Sequence, residues 1–436
     1  MEMTRLLINQ GYFVTMDESQ LQFRGWMAVE EGKIVGLGEG EAPQSELAQA
    51  TETMDGRGLL FMPGLVNTHG HAAMSLLRGL ADDLALQDWL QNHMWPTEAK
   101  YTGDDVYWGS ALAAAEMIKS GTTTFVDMYD HMHRVAEVVE QSGMRASLTR
   151  GVIGLCPEDV QKAKLADAIQ FAKDWHGAAD GRISVMISPH APYTCPPDYI
   201  EKFVEAAHDL DLPMHTHMSE TIAEVEQNVR DYGYRPVEHL DRLGMFSRPT
   251  LVAHAVHLND EEIALLAERN VAVSHNPVSN LKLASGVARV PELLKAGVTV
   301  SLGTDSAASN NNLDLFQEIT MAALLHKGVS GDPTVIPAVE ALRMGTTYGA
   351  RSIGLQGVTG QLKEGLKADF IALSLAQPHF VPHTDYVSHL AYAARGSDVA
   401  HVWVDGKQLL RDGKLLTLDE EKILAEAERC FRRLRG

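Results

Sequence analysis

Short apolar strands alternate with amphipathic helices along most of the chain. Between residues 59 and about 350, apolar β-branched runs are followed by segments of helical period such as DDVYWGSALAAAEMIKS and DYIEKFVEAAHDLDL. We count eight candidate strands, which end near NTHGH, DMYDH, TRGV, SPHAP, HTHMSE, HAVHL, SHNPVSN and GTDSAASN. Such an alternation is typical of parallel βα repeats, and eight is the strand number of a closed barrel. The pattern therefore predicts an α/β fold with a TIM-like (β/α)8 barrel at residues 59–358.

The two ends of the chain have a different pattern. RLLINQGYFVTMD and GWMAVEEGKIVGLG near the N-terminus, and KADFIALSL and AHVWVDGKQLLRDGK near the C-terminus, are β-rich runs separated by turn signals. We expect residues 1–58 and 359–436 to form one small β-sandwich, followed by a terminal helix in EEKILAEAERCFRRLRG. The run LLFMPGLV, just before NTHGH, is expected to be a single buried strand.

Charge and cysteine content narrow the class of partner. The 436 residues include 37 basic and 58 acidic side chains, and the net charge of −21 disfavours nucleic acid and anionic membranes. The three cysteines are far apart and form no CxxC pair, which indicates a reducing compartment. The N-terminus lacks the pattern of a signal peptide. We therefore expect a cytoplasmic protein without nucleic-acid or membrane partners, which acts on a small molecule and forms homo-oligomers as barrel enzymes often do.

Histidine and aspartate residues stand where the predicted barrel strands end, which is where barrel enzymes place their active sites. His69 and His71 are two residues apart, so on a strand both side chains point to one face and can bind one ion. For this pair alone, a hydrogen-bonded turn is an equal alternative. His217 and Asp305, at later strand ends, complete a set of three imidazoles and one carboxylate that suits Zn²⁺ or Fe²⁺.

Residues beside these strand ends have expected roles as well. Glu220 lies three residues beyond His217, where a carboxyl that does not bind the metal can transfer protons. Its alternative is an acidic residue in the first turn of the following helix. His254 and His257 compete for the sixth strand end, and we favour His254 because it is closer to the strand. His215 lies one pleat deeper than His217, so we expect it to be a core residue.

These motifs resemble the amidohydrolase superfamily, through PGLVNTHGH, a histidine at strand 5, another at strand 6, SHNPVSNLKL and GTD. His-x-x-Glu at strand 5, together with SPHAPY in place of a lysine at strand 4, resembles the members that deaminate aromatic bases with one metal ion. The finer similarity is to 5'-methylthioadenosine/S-adenosylhomocysteine deaminases, through HAAMSLLRGLADDLALQDWL, HMWPTEAKYT, TRG, SPHAPYTC, HNPVSNLKLASG and GTDSAASNNNLDLF. It covers essentially the whole chain and implies the barrel and the sandwich described above.

The resemblance implies a role for each matching residue. The implied ligands of one divalent metal per subunit, zinc or alternatively iron, are His69, His71, His217 and Asp305. The implied catalytic set is Glu220, His254 and Asp305. The implied substrate contacts are Glu98, Arg150, His190, Glu220 and Asp305.

The chemistry of some of these side chains supports the implied roles. Glu98 can accept hydrogen bonds from both ribose hydroxyls, whereas Arg150 has a structural ion pair as its alternative. Lys162 and Lys164, rather than an arginine, stand where the carboxylate of a homocysteine tail needs a cation, so the preference between the two substrates stays open.

The implied reaction is hydrolytic deamination of 5'-methylthioadenosine and S-adenosylhomocysteine, with adenosine as a further candidate. Glu220 would protonate ring nitrogen N1, Asp305 would carry the water proton to the departing ammonia, and His254 would orient the nucleophile. The alternative within the superfamily is a deaminase of a guanine-like base or a dechlorinase of an s-triazine. A metal-free binding scaffold is the alternative outside enzymes.

Overall fold

The computed structural model describes residues 4–435, so the first three residues and the last residue of the predicted terminal segments lie outside the described part. The strands are, in chain order, β1 (Arg5–Val14), β2 (Gln22–Glu30), β3 (Lys33–Glu39), β4 (Glu52–Asp55), β5 (Leu59–Pro63), β6 (Leu65–Asn67), β7 (Thr122–Tyr129), β8 (Arg145–Val152), β9 (Ile183–Val185), β10 (Ser188–Pro189), β11 (Met214–Met218), β12 (Thr250–His254), β13 (Ala272–His275), β14 (Val300–Leu302), β15 (Phe370–Ser374), β16 (Val399–Val404), β17 (Lys407–Arg411) and β18 (Lys414–Leu415).

The middle of the chain forms the predicted barrel of parallel strands. Two sheets, ordered β10-β8-β7-β6 and β11-β12-β13-β14, supply its wall, and β9 pairs with β8 so that the fourth strand is divided in two. Backbone hydrogen bonds from Thr68 N to Leu302 O (2.9 Å) and from Ile187 N to Pro213 O (2.9 Å) join the sheets at both junctions. The carboxyl ends of all these strands therefore meet at one end of the barrel.

Strands from both ends of the chain form one nine-stranded sheet rather than two separately paired ones. Its order is β18-β17-β16-β15-β5-β1-β2-β3, with β4 on the side of β1. Because side chains alternate across a strand, Leu60 and Met62 join the core shared with the barrel, whereas Phe61 stacks on Phe13 in a separate cluster (ring centroids 5.1 Å apart). The predicted sandwich is thus a sheet of both termini with an apolar core on each face.

The expectation that LLFMPGLV is one strand is wrong. Its first half is β5, which pairs with β1 and β15, and its second half is β6, the first barrel strand. The two are separated at Gly64, where a Cβ atom would lie 2.1 Å from Thr123 Oγ1, so only glycine allows the chain to pass. The predicted domain limits stay a proposal.

Helices follow the barrel strands and cover the outside of the barrel. The α-helices are Gln44–Gln49, Leu86–Asp88, Trp95–Glu98, Gly103–Lys119, Met132–Ser142, Glu158–Trp175, Ala178–Gly181, Pro197–Asp209, Ile222–Tyr232, Pro236–Arg242, Asp260–Glu268, Pro277–Lys282, Val290–Lys295, Ala307–Asn310, Leu315–Ser330, Ala338–Met344, Thr347–Ser352, Tyr386–Tyr392 and Glu420–Arg435. Shorter 3₁₀ or π segments are Ala72–Leu77, Trp89–Met94, Met245–Ser247, Pro378–Phe380 and Gly396–Asp398. Within residues 4–435, no helix has the length and apolar character needed to cross a membrane.

Candidate active site

Four side chains from three parts of the barrel converge at the carboxyl ends of its strands. His69 and His71 follow β6, His217 lies on β11, and Asp305 follows β14. The Nε2 atom of His71 is 3.3 Å from His217 Nε2 and 3.3 Å from Asp305 Oδ1, and His69 Nε2 is 3.6 Å from the same Oδ1. The fold therefore brings together all four residues that the sequence analysis assigned to a metal.

The hydrogen bonds of His71 and His217 fix which ring nitrogen carries the proton. His71 Nδ1 lies 2.6 Å from the carbonyl oxygen of Met128, and His217 Nδ1 lies 2.8 Å from that of His190. A carbonyl oxygen only accepts, so each Nδ1 is the donor and, in the neutral ring, each Nε2 keeps its lone pair. Both lone pairs face the cluster.

His69 is oriented in the same sense by a chain of two hydrogen bonds. His215 Nδ1 donates to Leu251 O at 2.8 Å, and burial lowers the pKa of His215 to about 4, so its ring is neutral. His215 Nε2 therefore accepts from His69 Nδ1 at 3.0 Å, and the lone pair of His69 is on Nε2. His215 is a fully buried residue, as expected, but it also orients a metal-site histidine.

Asp305 presents one carboxylate oxygen to the cluster and has the other one held. Its Oδ2 accepts hydrogen bonds from Ser279 (2.6 Å) and Ser309 (2.8 Å), which leaves Oδ1 for the histidines. Burial opposes ionisation of this carboxyl, but the His71 ring and the Ser279 hydroxyl outweigh it and hold the pKa of Asp305 well below its usual range. Glycine at position 303 allows the chain before Asp305 to lie close to His69, because a Cβ atom on Gly303 would be 2.8 Å from His69 N.

The chemistry of this donor set fits a divalent cation. In a tetrahedral zinc site with bonds of about 2.0–2.1 Å, ligand atoms lie about 3.3–3.4 Å apart, close to the distances between these atoms. Among residues 4–435, the buried Nε2 of His69 has no hydrogen-bond partner. Burial alone would lower the pKa of His71, yet the Asp305 carboxylate raises it to about 9, so positive charge is favoured here. A bound cation would accept the lone pair of His69 and would supply the positive charge beside Asp305.

A buried carboxyl and a fourth histidine lie beside this cluster. Glu220 Oε2 is 3.7 Å from His254 Nε2, and Ser285 Oγ lies 3.4 Å from the other oxygen of Glu220. Burial raises the pKa of Glu220, which favours a carboxyl that holds a proton. His254 Nδ1 donates to Asn280 Oδ1 at 2.8 Å, so in the neutral ring the lone pair is on Nε2, which faces Glu220. The φ of His254, +75°, is a strained backbone conformation of the kind that clusters at functional sites.

The cluster opens into a cavity of about 590 Å³ at the end of the barrel. Its apolar wall comes from the segment after β6, through Met74, Leu86, Trp89, Leu90 and Trp95. Glu98 lines the cavity too, and its carboxylate accepts a hydrogen bond from the Tyr129 hydroxyl. Burial raises the pKa of Glu98, although the hydrogen bond from the Tyr129 hydroxyl acts to lower it. The cavity has the size of a small-molecule site, with this apolar wall opposed by many polar and ionisable side chains.

The family of the chain follows from its sequence once this geometry is known. The model of the amidohydrolase family matches residues 60–409, which include the barrel and all the site residues. The chain belongs to the amidohydrolase family.

Several relatives of this amidohydrolase are deaminases. A 5-methylthioadenosine/S-adenosylhomocysteine deaminase of Desulforudis audaxviator is 51% identical over 99% of both chains. A 5'-deoxyadenosine deaminase of Methanosarcina acetivorans is 47% identical over 98% of this chain and 97% of its own. The crystal structure of an adenosine deaminase from Xanthomonas campestris with bound zinc is 37% identical, covers 99% of each chain and has a TM-score of 0.93.

The two remaining predicted contacts of the amidohydrolase also line the cavity. For Arg150, the alternative to a substrate contact was a structural ion pair. Its guanidinium does form ion pairs, with Asp130 (2.9 Å) and Asp167 (3.0 Å), although the residue also lines the cavity. His190 Nδ1 lies 2.9 Å from Thr194 Oγ1, whose own proton goes to Ala191 O. Burial lowers the pKa of His190 to about 3, so the neutral ring donates from Nδ1 and its Nε2 is an acceptor.

Sequence reasoning missed the residues that hold the site in shape. These supporting residues are Ser279, Asn280, Ser309 and Glu224. All four lie in helices that follow barrel strands, where polar residues are common without such a role, so their identity gave no signal. The spacing of His215 and His217 along β11 did indicate that His215 could support the site, because side chains two residues apart on a strand point to the same side, here into the barrel. Lys164, of the two lysines considered for a substrate tail, lines the cavity.

Proposed function

We propose that this amidohydrolase binds one divalent cation per chain, preferentially Zn²⁺, and deaminates 5'-methylthioadenosine and S-adenosylhomocysteine to the inosine derivatives and ammonia. The observation that carries the proposal is that three imidazole Nε2 atoms and an Asp305 oxygen converge beside one cavity, which is also lined by Glu98 and by Glu220, a buried carboxyl with a raised pKa. The names of relatives at about half identity support these two substrates, and the name of the 5'-deoxyadenosine deaminase supports deamination of an adenine nucleoside more broadly. Zinc is favoured over iron because a solved relative contains it.

Each residue of the site has a step in the proposed reaction. A cation held by His69, His71, His217 and Asp305 supplies Lewis-acid activation of a water. Glu220 donates its proton to ring nitrogen N1 of the adenine as C6 is attacked, which neutralises the charge that develops there. Asp305 takes one proton from the attacking water and passes it to the departing amino group, and the second water proton returns to Glu220 as the C6 carbonyl forms. His254, with Nδ1 held by Asn280, orients the nucleophile through its free Nε2.

Glu98 is the proposed contact of the ribose. A carboxylate accepts from both vicinal hydroxyls, and such charge-assisted bonds are stronger than neutral ones. The neutral Nε2 of His190 is proposed to accept from the purine edge. Loss of chloride from a triazine needs a proton donor such as Glu220 less strongly, and a free base has no ribose for Glu98. Both carboxyls together therefore favour an adenine nucleoside over the alternative substrates.

Ammonia release from a substrate panel tests the proposal. The zinc-loaded protein should release ammonia from 5'-methylthioadenosine and S-adenosylhomocysteine, with adenosine as a weaker substrate, and should leave guanine and a chlorotriazine unchanged. A Glu220→Gln variant should keep its zinc and lose about 10²- to 10⁴-fold of turnover, the usual contribution of a general acid. Chloride release without ammonia release, or full turnover by zinc-loaded Glu220→Gln, would contradict the proposal. A protein that neither retains metal nor gains activity on metal addition would favour a scaffold.

A further inference from the structure

The turn that carries Glu220 is held by a second buried glutamate, Glu224. This residue lies in the first turn of the helix Ile222–Tyr232, and Thr221 caps that helix by accepting from Glu224 N at 3.2 Å. Glu224 Oε1 accepts from Ser219 N at 2.9 Å, and its Oε2 accepts from Glu220 N at 2.8 Å. Only 3% of Glu224 is exposed. Both of its oxygens therefore bind the backbone of the turn.

This arrangement differs from an ordinary helix cap. In a capping box, the glutamate in the first turn accepts from the backbone N–H of the capping residue itself. Glu224 instead reaches past Thr221 to the two residues before it. Ser219 has a φ of +53°, and its carbonyl oxygen accepts from Val256 N and His257 N, both at 3.0 Å. The turn is thus fixed on one side by the backbone after β12 and on the other by Glu224.

We propose that Glu224 is a positioning residue, whose carboxylate holds the Ser219–Glu220 turn so that the Glu220 carboxyl faces the cavity beside His254. The proposal rests on the proposed function of Glu220 as the proton donor. Its basis is the pair of hydrogen bonds to the backbone of Glu220 itself and of its neighbour.

The expected consequence of losing Glu224 concerns the chemical step. Without the carboxylate, two buried N–H groups lose their acceptor and Ser219 is freer to leave its left-handed conformation. A shift of about 1 Å in a catalytic group costs about 10²-fold in rate. Glu98, His69, His71 and Asp305 are held by other elements, and His217 is held by the pairing of β11 with β12 and by the carbonyl of His190, so substrate binding and metal content should change little. We expect a fall in kcat with KM nearly constant.

The test compares Glu224 with a matched capping glutamate. Glu262 is also buried, in the first turn of the helix after β12, but it accepts from its own capping residue, at Asn259 N (3.0 Å). Glu224→Gln keeps one acceptor oxygen and Glu224→Ala keeps none, and Glu262→Gln and Glu262→Ala are the controls. With 5'-methylthioadenosine, kcat should fall about 10-fold in Glu224→Gln and about 100-fold in Glu224→Ala. The Glu262 variants should keep their kcat at a comparable loss of melting temperature.

A double variant separates this proposal from the proposed function. When Glu220→Gln has already removed the proton donor, adding Glu224→Gln should lower kcat no further, because the two residues act as one unit. Equal kcat in Glu224→Gln and wild type, or a loss seen in KM or zinc content alone, would overturn the positioning role. If Glu224→Ala does not fold, the Gln variant and the double variant decide. An active Glu220→Gln would instead refute the proposed function.

Discussion

Replacing His215 by phenylalanine should weaken zinc binding although His215 is not one of the four proposed ligands. The change removes the acceptor of His69 Nδ1, which lies 3.0 Å from His215 Nε2. In the metal-free protein, the proton of His69 can move to Nε2, which lies 3.6 Å from Asp305 Oδ1. With a cation bound, Nε2 must be free, so the proton stays on Nδ1, buried and without an acceptor. The penalty therefore falls on the metal-bound state.

The size of the effect follows from that single buried N–H group. Leaving a buried donor without a partner costs about 1–3 kcal/mol. At about 1.4 kcal/mol per factor of ten, this lowers zinc affinity about 5- to 150-fold. Loss of a residue that orients a metal-bound histidine generally lowers metal affinity about 10- to 100-fold, which agrees. Turnover of the zinc-saturated variant should fall much less than turnover at limiting zinc.

Competition with a coloured chelator measures the zinc dissociation constant of both proteins at one pH. His239→Phe is the matched control, because His239 is a buried histidine that stacks on Tyr232 (ring centroids 4.5 Å apart), away from the site. Its zinc affinity should equal that of the wild type. If His215→Phe binds zinc as tightly as the wild type while remaining folded, the assignment of the His69 proton to Nδ1 is wrong.

Three further changes have defined outcomes. Glu98→Gln should lower kcat/KM for 5'-methylthioadenosine about 10- to 100-fold, from about 1.5–3 kcal/mol of charge-assisted hydrogen bonding, and equal values would exclude the ribose contact. Removal of zinc by dialysis against a chelator should lower the melting temperature, since a ligand at 1,000 times its dissociation constant stabilises by about 4 kcal/mol; identical thermal unfolding of both forms would argue against a structured metal site. Burial raises the pKa of Glu318 from 4.5 to about 8. Between these two pH values the folded protein keeps a proton that the unfolded chain releases, so the free energy of unfolding falls as the pH rises from 4.5 to about 8. Urea unfolding of Glu318→Gln at pH 5 and pH 8 should therefore show a weaker pH dependence than the wild type, and an unchanged dependence would refute this reasoning.

The alternation of strands and helices, and the polar residues at strand ends, were readable along the chain because both are local patterns. They predicted the barrel, the contribution of both termini to one sheet, and the residues that converge at the carboxyl ends of the barrel strands. The boundary between β5 and β6 was missed because a continuous apolar run does not reveal that Gly64 must pass Thr123 at close range. Self-association, cytoplasmic location and the individual site roles stay predictions.

The amino-acid sequence by itself determined which side chains are available for chemistry, since it places histidine and aspartate residues at or directly after the ends of the barrel strands, which meet at one end of the barrel. Only the tertiary structure decided what those side chains can do. His69 and His215 are 146 residues apart in the chain, and His71 and the Met128 carbonyl are 57 apart. Their pairing depends on the register of separate strands around the barrel. The protonated nitrogen of each histidine, and thus the direction of its lone pair, is set by these distant hydrogen bonds.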